Sequence, residues 1–380
     1  MRRVAVVGGG YGGITAASLL DEAADVVLVE PRETFVHNVA ALRALVDAAW
    51  APRLFLPYDR LLTRGKVVRD QVVSVEDAGG PDGEPVTLRL RHGAEFRADF
   101  VVLATGSTYP FPAKFDELDT RDALQRFDRT RVDLDRSTRV LLLGAGPVGV
   151  ELAGEITSAW PGKHVTLLDP SPDLLGGAYP AELLHELRRQ LEERSVDLRL
   201  GESLVEPPAG PPGRLGVFSA RSSAGTQVTG DIWFRCYGAA PVSDYLDGAL
   251  AEARTPEGRL RVTSGLQVCG HPRVFAIGDL TAVEESKTAK AAGLHAEIVA
   301  ARIRAALDGR GDPTAYVPGP PAIVVPLGPD AGASYSPRTG VLDAEVTTRL
   351  KSSHMKIDDY RDLLNLSVHA EDAPHGDSGA

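Results

Sequence analysis

Short apolar runs recur along the chain, and several end on a glycine or an acid. Residues 4–7, 26–29, 100–103, 140–143, 165–168, 232–234 and 274–277 are unbroken by charge, the pattern of parallel strands buried on both faces. Helix formers fill 14–23 and 149–160, and an apolar-periodic stretch over 287–307 predicts a long helix. The runs therefore alternate with helices, which is the order of a parallel α/β fold.

Two of these strands run into glycine turns, Gly8-Gly9-Gly10-Tyr11-Gly12-Gly13 and Gly144-Ala145-Gly146-Pro147-Val148-Gly149. Glycines at this spacing permit the tight turn and let backbone N–H groups and a helix N-terminus approach a diphosphate. Each copy is followed by a second strand ending on an acid, Glu30 at 22 positions after Gly8 and Asp169 at 25 after Gly144, where a carboxylate accepts hydrogen bonds from a ribose. One such turn also occurs for packing alone; two complete copies point to two dinucleotides bound side by side. The strand at 100–103 runs into Ala104-Thr105-Gly106, the one at 232–236 into a segment containing Gly238, and the one at 273–277 into Gly278-Asp279.

The predicted architecture is α/β, with two Rossmann-like dinucleotide-binding domains, the second inserted in the first, and a small C-terminal α+β unit. The expected boundaries are 1–112 and 236–310 for the first domain, 113–235 for the second, 311–369 for the C-terminal unit and 370–380 for a polar, disordered tail. A hairpin is expected near 79–85.

Composition narrows the chemistry. The chain has 380 residues, 43% of them hydrophobic, and a formal charge of -11, which disfavours nucleic acid and anionic membrane surfaces as main partners. No run reaches the roughly 18 apolar residues of a membrane span, and the Met1-Arg2-Arg3 start is too soon interrupted to be a secretory signal. Arg2 stands where myristoylation needs glycine. A cytoplasmic location is expected, with at most weak peripheral membrane contact, as a monomer or homodimer. The only cysteines, Cys236 and Cys269, are 33 positions apart, so no paired-cysteine redox motif exists. No metal site is expected.

The order of glycine turn, Ala-Thr-Gly, second glycine turn and Ile-Gly-Asp resembles the two-dinucleotide pyridine nucleotide oxidoreductases. Within them, His37-Asn38-Val39-Ala40-Ala41-Leu42-Arg43, the stretch LATGSTYPFPAKF at 103–115 and Ala292-Gly293-Leu294-His295-Ala296 look like the apoptosis-inducing-factor-like, ferroptosis-suppressor type of NAD(P)H–quinone oxidoreductase. The resemblance covers about 3–310.

It implies FAD on the first unit, held by Gly8, Gly9, Gly10, Tyr11, Gly12, Gly13, Glu30, Ala104, Thr105, Gly106, Gly278 and Asp279, with Arg43 near the phosphates and Val72 at the adenine edge. Thr288 and Ala289 would open a helix whose N–H groups aim at the flavin. Gly144, Gly146, Gly149, Asp169 and Gly238 would hold NADH or NADPH, with Asp169 favouring NADH by repelling a 2′-phosphate. Glu151 matches a glutamate between nicotinamide and flavin; Lys287 is its first candidate partner and Lys351 a poorer one. Disulfide reductases carry redox cysteines in the segment corresponding to 37–43, whereas this chain has none there, so electrons would leave the flavin directly for a quinone-like acceptor. Tyr316, Ile323, Val324, Val325, Leu327 and Tyr335 are candidates to line its path. A tailoring enzyme using oxygen, a reductase for a ferredoxin or oxygenase partner, and an NADH-sensing interaction protein remain alternatives.

Overall fold

The computed structural model describes residues 2–77, 84–311 and 315–366. Five parallel strands form the first sheet, in the order Val274–Ala276, Phe100–Leu103, Arg3–Val7, Asp25–Val29 and Lys66–Val68. A second parallel sheet runs Asp197–Leu200, His164–Asp169, Arg139–Leu143 and Ile232–Arg235. The strand at 274–276 follows the whole second sheet in sequence yet joins the first, so the second domain is inserted in the first. Two short segments between them pair antiparallel, Ser107 with Pro241 and Thr108 with Ala240.

The period-2 geometry of a strand explains the layering. Val4 and Val6 face a core shared with helices Tyr11–Leu20 and Ala289–Leu307, while Ala5 and Val7 face a core under the antiparallel strands Val72–Glu76, Val86–Leu90 and Glu95–Ala98. In the second sheet Val140 and Leu142 meet the helices, and Leu141 and Leu143 meet the hairpin of Phe218–Arg221 and Gln227–Gly230. Part of the hairpin expected at 79–85 and the tail from 370 lie outside the described residues.

The C-terminal unit is a three-stranded antiparallel meander, Ile323–Pro326, Gly332–Ser336 and Gly340–Leu342, followed by short helical turns. Its sheet lies on the second domain: a Cβ added to Gly154 would fall 2.4 Å from Leu327 Cα, and the Gln190 side-chain amide bonds both N–H and C=O of Gly332 at 2.9 Å. Its last helix, Ile357–Leu363, lies on the first domain, where Tyr360 stacks on Phe35 at 5.6 Å. The unit thus bridges both nucleotide domains. Val325 and Leu327, expected to line an acceptor path, are fully buried in that core, and Tyr316 packs edge-on to His295 at 4.3 Å in the first domain; these three serve packing instead.

Candidate active site

The two glycine turns have the same construction. Gly8 (φ +101°) and Gly144 (φ +109°) take the left-handed region and lie against the carbonyls of Ala104 and Cys236. At Gly13 and Gly149 an added Cβ would fall 1.8 Å from the carbonyl oxygen of Gly8 or Gly144, so glycine there lets helix meet strand. Gly10 and Gly146 are different. Their backbones, at φ -76° and -70°, suit any residue, and an added Cβ would meet nothing within 4 Å. Neither folding nor packing requires glycine at these two positions; the close approach of a diphosphate does. Both helix N-termini also lack a side-chain cap and first-turn acids, which leaves N–H groups for an anion.

Each acid supports its turn from below. Glu30 accepts from Gly9 N at 2.7 Å and Arg32 N at 3.0 Å, and Asp169 accepts from Ala145 N at 2.6 Å and Ser171 N at 2.7 Å. Tyr58 donates its hydroxyl to the Gly9 carbonyl at 2.8 Å. The residues present fit a dinucleotide on both turns.

Asp279 lies in the turn Gly278–Leu280 and accepts from Ser107 Oγ at 2.5 Å, with Lys114 Nζ 3.4 Å away. Burial pushes the Lys114 ammonium below the usual lysine range, and Asp279 pulls it back. Lys114 lies inside the 103–115 stretch, but nothing local marks its role, since its partner Asp279 is 165 positions away. Thr105 donates to the Val242 carbonyl at 2.6 Å, and Gly106 (φ +65°) has open space where a Cβ would point. Gly238 (φ +98°) is closed off by Arg235.

His295, fully buried, accepts the Gly278 N–H on Nδ1 at 3.0 Å. Its Nε2 therefore carries the hydrogen and faces Glu285 at 2.7 Å, whose other oxygen accepts from Tyr316 at 2.5 Å. The Gly278-Asp279 turn is held by His295 through the Gly278 N–H. Helix Ala289–Leu307 begins beside it, with Thr288 as N-cap accepting from Ala291 N at 3.1 Å. Val72 is buried in sheet packing at a register shift.

The junction between the domains carries two ion pairs, Arg43–Glu155 buried and Lys351–Glu151 partly buried. Glu151 and Glu155 lie one turn apart on helix Pro147–Ala159, and so on one face. Lys351 Nζ sits 2.9 and 3.1 Å from the Glu151 oxygens, and Arg43 Nε sits 2.5 Å from Glu155 Oε2. Burial raises both carboxyls above the ordinary range, while the cations lower them.

Two expectations are corrected here. Lys287 is not the partner of Glu151: its ammonium donates to the Val283 carbonyl at 2.6 Å, and Lys351 from the C-terminal unit takes the position. Arg43 turns to Glu155 and to the Ser352 carbonyl at 3.3 Å rather than to the first glycine turn. Glu151 is also the fifth residue of its helix, beyond the first turn where an acid gains most from the helix dipole.

Cys236 is buried, its thiol pushed up to about 12 by desolvation, and Cys269 is exposed. They form no disulfide. Among the described residues no His, Cys, Asp and Glu group could hold a metal ion, and no helix is long and apolar enough to cross a membrane.

Residues 2–296 match the pyridine nucleotide-disulphide oxidoreductase family. The chain belongs to that family. Among curated relatives, ferroptosis suppressor protein 1 of Homo sapiens is 34% identical over 333 residues, covering 87% of each chain. Apoptosis-inducing factor homolog B of Dictyostelium discoideum is 28% identical over 383 residues, covering 96% of this chain and 97% of the relative. In fold, the chain is similar to a NAD-dependent persulfide reductase from A. fulgidus, with a TM-score of 0.68 at 15% identity over 87% of this chain and 63% of that one. A water-forming NADH oxidase from Lactobacillus brevis, bound to NADH, gives 0.61 at 20% identity over 80% of this chain and 69% of that one. Membership makes the chain an oxidoreductase of the pyridine nucleotide type.

Proposed function

We propose that the chain is an NADH-preferring flavoprotein that delivers electrons to a quinone-like small molecule without a redox disulfide. The observation that carries this reading is the Glu151–Lys351 pair, partly buried at the junction of the two dinucleotide-binding domains in a chain without a cysteine pair. Bound FAD supplies the hydride acceptor for the nicotinamide and the electron donor for the substrate.

The chain's residues bind, orient and exclude water. Gly10 and Gly146 admit the two diphosphates, and the N–H groups beyond them hold the charge. Lys114 and Ser107 fix the Asp279 carboxylate on the first unit. Lys351 draws the Glu151 carboxyl back down against the desolvation that raises it, and fixes where its oxygens point. Held in this way, Glu151 can orient the nicotinamide amide. Asp169 already accepts two backbone N–H groups, which fixes its side chain where a 2′-phosphate would be repelled. The resemblance of the 37–43, 103–115 and 292–296 stretches to the ferroptosis-suppressor type of NAD(P)H–quinone oxidoreductase supports the quinone as acceptor class.

With FAD-loaded protein, NADH should support turnover of a naphthoquinone faster than of oxygen or a one-electron dye, and by at least about tenfold in kcat/KM over NADPH, or roughly 1.4 kcal/mol. Equal efficiency with NADPH would remove the Asp169 argument. Oxygen consumption without quinone turnover would instead favour a tailoring enzyme.

A further inference from the structure

The 37–43 segment has no redox cysteine, and binding and turnover as described above give His37 no task. In the structure this segment reaches into the C-terminal unit twice. His37, fully buried, places Nε2 2.7 Å from the Met355 carbonyl, and Arg43 places Nη1 3.3 Å from the Ser352 carbonyl. Both carbonyls belong to the turn that Lys351 opens, since Met355 N donates to the Lys351 carbonyl at 2.7 Å.

That turn needs to be held. Thr348–Ser352 is a π turn, an uncommon form found at functional positions. Met355 (φ +50°) and Lys356 (φ +62°) follow in the left-handed region, which residues with a Cβ occupy when their surroundings impose it.

The hydrogen on His37 is also assigned by its neighbours. The Tyr11 hydroxyl accepts from Val39 N at 2.9 Å, so its own hydrogen is free to point at His37 Nδ1, 3.4 Å away. Nδ1 is then the acceptor, and Nε2–H donates to Met355. Tyr11, Phe35 and Tyr360 surround the ring with centroids at 5.9, 6.4 and 5.1 Å.

We infer that His37 is a positioning residue for Lys351: by clamping the Met355 carbonyl it fixes the turn that sets the lysine against Glu151. This rests on the proposed role of the Glu151–Lys351 pair. The clamp joins the first domain to the C-terminal unit across the junction, at the place where related reductases keep their cysteines.

A double-mutant cycle tests it, reading the single-turnover rate of reduction of FAD-loaded protein by NADH together with FAD content. H37F keeps a ring and removes the donor; it should slow reduction by about tenfold, while K351M slows it by roughly a hundredfold. In the K351M background, H37F should add less than about twofold, because a residue acting through Lys351 has nothing left to position. H37Q, whose amide can still donate to Met355, should recover most of the rate. H37N, polar but too short to span the gap, should behave as H37F does.

Equal slowing by H37F in both backgrounds would overturn the inference, as would H37Q no faster than H37F. If H37F and H37N both lose FAD while K351M keeps it, His37 holds the FAD unit instead and the assignment fails. An unchanged rate in K351M alone would bring down the role of the pair itself, and the clamp's purpose with it.

Discussion

Gly10→Val should yield a folded, colourless protein, and Gly146→Val a yellow one that NADH reduces poorly. Both substitutions put a side chain into space that the protein leaves open, on a backbone that valine can adopt. Stability should therefore change little, and the loss should fall on the ligand whose diphosphate would occupy that space. For Gly146→Val the expected cost is at least about a hundredfold in KM for NADH, or roughly 3 kcal/mol. Gly13→Val and Gly149→Val behave otherwise, because the first added carbon collides with a backbone carbonyl and the domain itself fails to pack. Visible absorbance for FAD content and a thermal melt for folding separate the two classes. FAD retained in full by Gly10→Val would contradict the assignment of the first turn.

Lys351→Met should slow NADH-driven reduction by about a hundredfold with FAD content unchanged. Burial pushes the Glu151 carboxyl up and Lys351 pulls it down, so without the lysine the carboxyl takes up a proton at higher pH. In the parent protein the rate should fall on the acid side, with an inflection above the ordinary glutamate range, and in Lys351→Met that inflection should move to higher pH. Glu151→Gln abolishes the inflection and is also slow. Stability follows with a definite sign. A carboxyl whose folded pKa is raised stabilises the fold below its unfolded value, and this is lost as pH rises through the folded value. Lys351→Met is therefore least compromised in acid. Removing one partner of a buried pair costs about 3–5 kcal/mol, and the lower end applies because Lys351 and Glu151 keep 17% and 13% of their side-chain exposure. A pH–rate profile identical to the parent's would take the pair out of the mechanism.

What the sequence made legible is what it encodes locally. Val4 to Val7 reads as a buried strand because four apolar residues in a row fit no solvent-facing pattern, and Glu30 and Asp169 are found because a strand of known length carries them beside their turns. The Lys351–Glu151 pair is different in kind: 200 positions separate the residues, and only the docking of the C-terminal unit brings them together. Lys287 was the nearer candidate by motif, yet a neighbouring carbonyl satisfies it within its own loop. The same docking explains Val325 and Leu327, whose apolar character reads equally as a ligand path or as core until Gly154 is seen to admit Leu327. Glu155 had a usable signal, since it lies four residues after Glu151 on a helix and so repeats an acid on the same face. His37 had none, because its partner is a backbone carbonyl, which every residue possesses.

The proposed chemistry requires a nicotinamide and a flavin to meet directly at the Glu151–Lys351 junction. Purified protein, reconstituted with FAD and mixed with NADH in the absence of air and of any thiol, tests this most directly. The visible flavin band should bleach in a single rapid phase, equally fast in a Cys236→Ser, Cys269→Ser double variant. A protein that takes up no FAD, or a yellow one whose band NADH leaves intact, would contradict it.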